Sequence, residues 1–381
     1  MRVIHIVHGK ANPEGHNGIS RVVYHMNKQE KRLGINSEIW AVVDNARSHF
    51  THHRDEYVAV ECFPRVRLPF GNHKIIDRLI AEKDHIDIVH FHMIWFYDKN
   101  IIAKALNSAG LPFIITTHGT YSKDHAYTGK RRIARSVYEI DYLERAVEIH
   151  LLTREEGSGL QKYGYNGASF VVPNGVALEE VPESRSKHFY SNKPYRDKTK
   201  AIWVGVLRED KNLRALIYAV SMLPPKIIGQ LVVVIVGPDY HGNKAMYEGL
   251  ANSLGVRENF DFLGPLYAQD KFDAIESADF YVMPSFSEGM SLAVLDALIC
   301  AKPSVMTMGC GLNYYLDYDF FIPCEPYAQD IARGIESLFE RRSDWQDMGD
   351  RAHALCFERF NWTAIAGELS HHYERIAEQY S

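Results

Sequence analysis

The feature that most constrains this chain is a rhythm: short apolar runs alternate from end to end with segments whose apolar residues recur at helical spacing. That is the pattern of strands feeding crossover helices in a parallel sheet, so the class is α/β. The first unit of the rhythm is a strand over 3–8, a polar loop, and a helix with Ile19, Val22, Val23, Met26 and Leu33 on one face, closed by Gly34. Further strands are expected at 39–43, 58–62, 86–91, 113–117, 147–152 and 170–172. A chain of 381 residues exceeds one ordinary core, and two domains of about 150 to 200 residues are the expectation. The stretch 179–200 turns polar and Pro-containing, which reads as a linker between a domain over 1–180 and another over 199–361. A second series of strands follows at 201–204, 231–236, 260–263, 279–283 and 304–307, then helical patterns at 328–339, 345–357 and 362–380. The second half repeats the architecture without a repeat of sequence at a fixed period.

In doubly wound sheets the ligand sits beyond the carboxyl ends of the strands, so strand-end residues are the candidates. The strongest local signal is Met283-Pro284-Ser285-Phe286-Ser287-Glu288-Gly289-Met290-Ser291-Leu292-Ala293-Val294-Leu295-Asp296. Read as a continuous helical rise, Glu288 and Asp296 stand roughly 12 Å apart along the axis and about 80° apart around it, so both face one ligand. Glu288 then accepts from sugar hydroxyls and Asp296 from ribose hydroxyls, while the N–H groups of Gly289, Met290, Ser291 and Leu292 meet a diphosphate. The plainer alternative makes Glu288 a turn residue and Asp296 an exposed helix position.

Lys211 follows a strand end and is placed to neutralise a leaving diphosphate. Gly18 at a helix start permits close backbone approach. His118 ends an apolar strand ahead of Gly119, which projects it toward the ligand. His90 and His92 share one strand face, but with no carboxylate nearby to complete a set, a metal site is not expected. Asp317-Tyr318-Asp319 has the form of an Asp-x-Asp metal motif and is read as a chance pair in a loop. The segment Lys130-Arg131-Arg132-Ile133-Ala134-Arg135 opens a helix with Ile133, Val137, Ile140 and Leu143 as its inner apolar face and a basic outer face. The alternatives for that face are an anionic membrane surface or plain solvent.

The motif over 288–296 resembles the Glu-Gly-Phe-Gly-x-x-x-x-Glu signature of glycosyltransferase family 4, with Met290, Ser291 and Asp296 departing from it. His90-Phe91-His92, Thr117-His118-Gly119, Val172-Pro173-Asn174-Gly175-Val176, Val204-Gly205-Val206-Leu207 with Lys211, Val236-Gly237-Pro238 and Phe262-Leu263-Gly264 resemble further landmarks of the family, in order. The resemblance implies a GT-B fold, two Rossmann-like domains facing across a cleft, with the helix from Trp362 crossing back to the first. It also implies a retaining glycosyltransferase that uses a nucleotide diphosphate sugar and no metal or other cofactor. It makes His118 a contact of the transferred sugar. Val206 stands where the family has Arg, and Arg208 is the substitute cation. Related enzymes build cell-surface polysaccharides, implying a saccharide or lipid-linked saccharide acceptor. A nucleotide-sugar 2-epimerase of the same fold and a catalytically silent binding subunit are the alternatives. A dehydrogenase is disfavoured because no Gly-x-Gly-x-x-Gly follows any strand.

Bulk properties bound the partners. A net charge of −5 leaves no field to hold nucleic acid. The five cysteines are scattered without a Cys-x-x-Cys pair and read as reduced. The first residues enter a strand without a signal-peptide pattern, and the longest apolar run, 231–236, is far short of the ~20 residues of a spanning helix. The expected location is cytoplasmic, with any membrane contact peripheral at the inner face.

Overall fold

The computed structural model describes residues 1–9, 18–44, 58–66, 71–122 and 130–380. The chain divides into two compact units, Met1–Gly175 with Trp362–Ser381, and Val176–Asn361.

In the first unit the apolar runs form β1 (Arg2–His8), β2 (Asn36–Val43), β3 (Val60–Pro64), β4 (Ile88–His92), β5 (Phe113–Thr116), β6 (Glu148–Leu151) and β7 (Ser169–Val171). They make one sheet of order β3-β2-β1-β4-β5-β6-β7. Every pair is parallel. The order reverses between β1 and β4, the switch point at which such sheets open toward ligand. Ile4, Ile6, Trp40, Val89, Phe91, Phe113 and Tyr142 fill one core of this unit. Helices return to the sheet through left-handed glycines, Gly110 at φ +73 and Gly164 at φ +104, a conformation that a side chain resists. The closing helix Trp362–Tyr380 buries Trp362, Ile365, Ala366, Leu369, Tyr373 and Ile376 at three- and four-residue spacing and packs on the helix Gly18–Arg32.

In the second unit β8 (Thr199–Val204), β9 (Leu231–Val236), β10 (Phe260–Gly264), β11 (Phe280–Met283), β12 (Ser304–Thr307) and β13 (Phe321–Cys324) form a parallel sheet of order β10-β9-β8-β11-β12-β13. The last strand was not expected. It is short and contains Pro323, which an edge strand tolerates because one row of its backbone groups needs no partner in the sheet.

The polar stretch read as a linker is instead part of the second unit. Ser186 N–H donates to Asp273 Oδ1 (2.8 Å), Arg185 Nε to Glu276 Oε2 (3.1 Å) and the Tyr190 hydroxyl to Ala274 O (2.9 Å). Lys193 pairs with Asp261 at 3.0 Å, and the Tyr195 hydroxyl donates to the same carboxylate at 2.5 Å. The composition is hydrophilic because these residues pair with the helix Ala268–Glu276 and with β10, not because they span water.

Candidate active site

Three adjacent strands of the second sheet run into glycine: Gly205 follows β8, Gly237 follows β9 and Gly264 ends β10. Gly205 N–H donates to Val236 O and Gly237 N–H to Gly264 O, each at 2.9 Å. Gly237 lies at φ +146, and a Cβ there would stand 1.7 Å from Gly205 O, so no side chain fits. The strand ends therefore present bare backbone.

The neighbouring loops are tied to one another. Phe286 N–H donates to Asp210 O (3.1 Å) and Glu288 N–H to Gly309 O (2.6 Å). Asn212 Nδ2 donates to Pro284 O and Pro326 O, both at 2.9 Å. This lattice brings Lys211 Nζ to 2.6 and 2.7 Å from the two carboxylate oxygens of Glu288. Both side chains are largely shielded from water, where opposite charges attract more strongly than at the surface. Lys211 has three N–H donors, of which two go to Glu288. Arg208, half-exposed, turns to Asp210 at 2.6 and 2.9 Å. That hydrogen bond, and more distantly the charge of Glu288, raise its guanidinium further above the ordinary arginine value.

The expected helical spacing of the two acids is corrected. The helix begins at Leu292 and runs to Ile299 with Ser291 as N-cap, so Glu288 lies on the preceding loop and only Asp296 on the helix. Ser291 O accepts from the N–H groups of Val294 and Leu295, and Leu292 is the first residue of the helix, where an N–H has no intrahelical acceptor. Gly289 and the buried Met290 join the loop to the helix. Asp296 is buried and held at 2.6 Å by Lys271 Nζ from the helix Ala268–Glu276. Lys271 was not foreseen; nothing near it in the sequence marks it, and only its pairing with Asp296 does.

In the first unit His118 follows β5 at φ +52, ahead of Gly119 at φ +75. This is left-handed backbone, unusual for a side chain of this size. Glu156, buried on the helix Arg154–Tyr163, holds the turn in place. Its carboxylate accepts from the Thr117 hydroxyl, from Leu152 N–H at 3.0 Å, and from the N–H groups of Gly119 and Tyr121. Burial raises the Glu156 carboxyl against the lowering effect of those donors. Glu156 is a second residue the sequence did not disclose.

His118 Nε2 lies 3.1 Å from His92 Nδ1; His92 Nε2 lies 2.9 Å from His5 Nδ1; and His5 Nε2 lies 2.7 Å from Glu30 Oε2. Glu30, on the helix Gly18–Arg32, meets His5 of β1 and reaches the β4 histidines only through that ring and Tyr373. His90 continues the cluster, with Nδ1 2.7 Å from the Tyr373 hydroxyl and Nε2 2.5 Å from Thr116 Oγ1. Thr116 Oγ1 is 2.7 Å from His150 Nδ1, whose ring donates from Nε2 to Val172 O at 2.8 Å. Burial, with His150 and Lys99 adding to it, lowers His118 to about 3. It lowers His150 to about 4 and His90 and His92 well below the ordinary value. These rings are neutral at pH 7.

Other expected features fall elsewhere. Gly18 opens its helix with open space around its α-carbon. Asp319 pairs with Arg341 at 2.7 Å and Arg351 at 3.1 Å, which gives that acid a structural partner. In the basic segment a π-helical turn, Arg135–Glu139, interrupts the helix, so the expected apolar face does not hold. Ile133 and Val137 are 66% and 67% exposed, while Leu143 is buried. Arg135 donates to Tyr163 O with its guanidinium 5.3 Å from that ring centre, leaving Arg132 exposed. The side chains of Lys130 and Arg131 lie outside the described ones.

Comparison with known proteins places this geometry. Residues 16–180 match the model of Glycosyltransferase Family 4, and residues 184–354 that of Glycosyl transferases group 1. The lipopolysaccharide glucosyltransferase WaaG of Escherichia coli (strain K12) is 25% identical over 162 residues, 42% of each chain. D-inositol 3-phosphate glycosyltransferase 2 of Catenulispora acidiphila is 24% identical over 391 residues, 95% of this chain and 90% of its own. Among solved structures, Anabaena HepE in complex with UDP-glucose superposes with a TM-score of 0.75 at 15% identity, covering 98% of this chain and 99% of that one. With two Rossmann-like parallel sheets of the GT-B type and family models matching in both units, the chain is a glycosyltransferase and belongs to glycosyltransferase family 4.

Proposed function

We propose that this transferase moves a sugar from a nucleotide diphosphate sugar to an acceptor hydroxyl with retention of anomeric configuration, in polysaccharide or glycoconjugate biosynthesis. The observation that carries the reading is the shielded Lys211–Glu288 pair in the loop lattice beside the glycine-ended strands. Glu288 accepts from hydroxyls of the donor sugar. Lys211, with Arg208, faces the diphosphate, whose charge grows as the glycosidic bond breaks. Leu292 offers a helix-start N–H, Asp296 accepts from the ribose, and His118 contacts the transferred sugar. The UDP-glucose complex of HepE and the lipopolysaccharide substrate in the name of WaaG support the donor class and the pathway.

The test is direct: UDP-, GDP- and ADP-sugars are screened by thermal shift, where a ligand at 100 times its Kd stabilises by roughly 2.7 kcal/mol. The best donor is then supplied with saccharide acceptors and the product anomer read by NMR. Transfer with retention, undiminished in excess EDTA, is expected. Conversion of the donor without acceptor identifies an epimerase, and binding without transfer a silent subunit.

The acceptor is proposed to be lipid-linked, with the protein at the inner, cytoplasmic face of a membrane. Exposed Ile133 and Val137 beside exposed Arg132 support this. No helix among the described residues is long and apolar enough to cross a membrane, so contact is peripheral in this reading. Arg132→Gln with Ile133→Ser and Val137→Ser is expected to reduce sedimentation with anionic vesicles and to spare transfer to a short soluble acceptor. Wild-type protein that ignores such vesicles at low salt rules the membrane out.

A further inference from the structure

Nine polar groups of the first unit form a path of hydrogen bonds: Val172 O, His150, Thr116, His90, Tyr373, Glu30, His5, His92, His118. Val172 O at one end and Glu30 within the path fix the direction of its bonds. A carbonyl oxygen only accepts, so Val172 O places the His150 proton on Nε2 and makes Nδ1 an acceptor. Thr116 then donates to His150 and accepts from His90 Nε2–H, and His90 Nδ1 accepts the Tyr373 O–H. On the other arm Glu30 Oε2 accepts from His5 Nε2–H. His5 Nδ1 is left to accept from His92 Nε2–H, and His92 Nδ1 to accept from His118 Nε2–H. A ring that carries one proton donates on one side and accepts on the other, so each step determines the next.

We propose that Glu30 is a positioning residue for His118: through His5 and His92 it holds the His118 proton on Nε2 and leaves Nδ1 as an acceptor for a hydroxyl of the transferred sugar. The last clause rests on the sugar contact proposed above; the tautomer does not. The path also has one bond more than its rings and hydroxyls have protons to fill. Tyr373 has one proton for its contacts with His90 Nδ1 and, at 3.2 Å, Glu30 Oε1, so donation to His90 leaves the Glu30 contact without one. A glutamine at this position supplies that proton permanently, its amide N–H₂ facing Tyr373 and its oxygen facing His5.

The nitrogens of His5, His90 and His92 lie within 4.8 Å of one another, but their spacing and partners fit hydrogen bonds better than tetrahedral zinc. His5 Nδ1 and His92 Nε2 are 2.9 Å apart, whereas two nitrogens bound to tetrahedral zinc at about 2.0–2.1 Å stand roughly 3.3 Å apart. Both nitrogens of His90 already meet hydroxyls.

The experiment is long-range ¹H–¹⁵N spectroscopy of histidine-labelled full chain without substrate, beside metal analysis. His118 protonated on Nε2 alone is expected in wild type and Glu30→Gln. A mixture of tautomers is expected in Glu30→Leu, or in His5→Leu should that variant not fold. An Nδ1-protonated His118 in wild type, an Nε2 tautomer undisturbed in the leucine variant, or one equivalent of bound zinc overturns the proposal. The wild-type spectrum alone decides the tautomer. Turnover is read separately: an Nε2-protonated His118 in a chain that transfers no sugar leaves the proposal standing and removes the proposed function.

Discussion

The second unit gathers acids and lysines in its loops and helices, Lys211 with Glu288 and Lys271 with Asp296, whereas the first unit threads imidazoles and hydroxyls through the middle of its sheet. Both bury polar groups beneath parallel strands, by different means. An ion pair keeps charge available near the surface, where a charged ligand can exchange partners with it. A chain of rings and hydroxyls that includes one carboxyl group fixes direction instead, and its hydrogen bonds satisfy polar groups that burial would otherwise penalise. The comparison assigns charge stabilisation to the second unit and orientation to the first.

The largest expected effect that could break this division lies at Glu288. Glu288→Ala is expected to lower kcat roughly 100-fold or more, as when a group acting on the developing charge is removed, with little change in the Kd of the free nucleotide diphosphate. Steady-state kinetics beside calorimetry checks this. Equal losses in both would move Glu288 from the sugar to the diphosphate.

Next in size is the response to acid. Burial lowers His8 and His150 from 6.5 to about 4. Their folded values lie below the unfolded one, so the unfolded chain binds more protons between pH 6.5 and 4, and stability falls as pH drops through that window. The loss is about 3 kcal/mol for each ring. Glu139, raised by burial to about 7, has the opposite sign: the folded state binds its proton first, and stability rises as pH falls from 7 to 4.5. The two histidines outweigh the one acid. Hydrogen exchange at pH 5 is therefore expected to quicken in β1, β4 and β5 before it does in β8 and β9. Simultaneous loss in both sheets would erase the contrast.

The smallest expected effect sharpens the reading of the second unit. If Asp296 meets the ribose, Asp296→Ala weakens the nucleotide diphosphate by roughly tenfold, the scale of one charge-assisted hydrogen bond. Lys271→Met, which leaves the acid in place without its partner, changes affinity less and stability more. Calorimetry and thermal melts on the two variants separate these. Identical affinity losses would give Lys271 its own contact with the ligand.

Much of this was legible before any coordinates. Strands buried on both faces must be apolar runs, so those forming β1, β2, β4, β5 and β9 stood out, and Glu288, Lys211 and His118 were marked by residue type at strand ends. Other features had no local signature. The four residues of β13 include a proline that argues against a strand unless its edge position is known. The periodicity of Ile133 and Val137 predicted burial, but one π-helical turn altered the phase between those residues and Leu143.

What the sequence by itself determined is the alternation of strands and helices, the family, and the residue types at the strand ends. These depend on local spacing and on solvent exclusion along a few residues. Only the tertiary structure decided the partners. Glu30 meets His5 and Tyr373, Glu156 meets the His118 turn, and Lys271 meets Asp296. A hydrogen bond or ion pair acts over about 3 Å in space and is indifferent to separation along the chain. Residues on a helix face are therefore given their polar partners only when that helix has docked on its sheet.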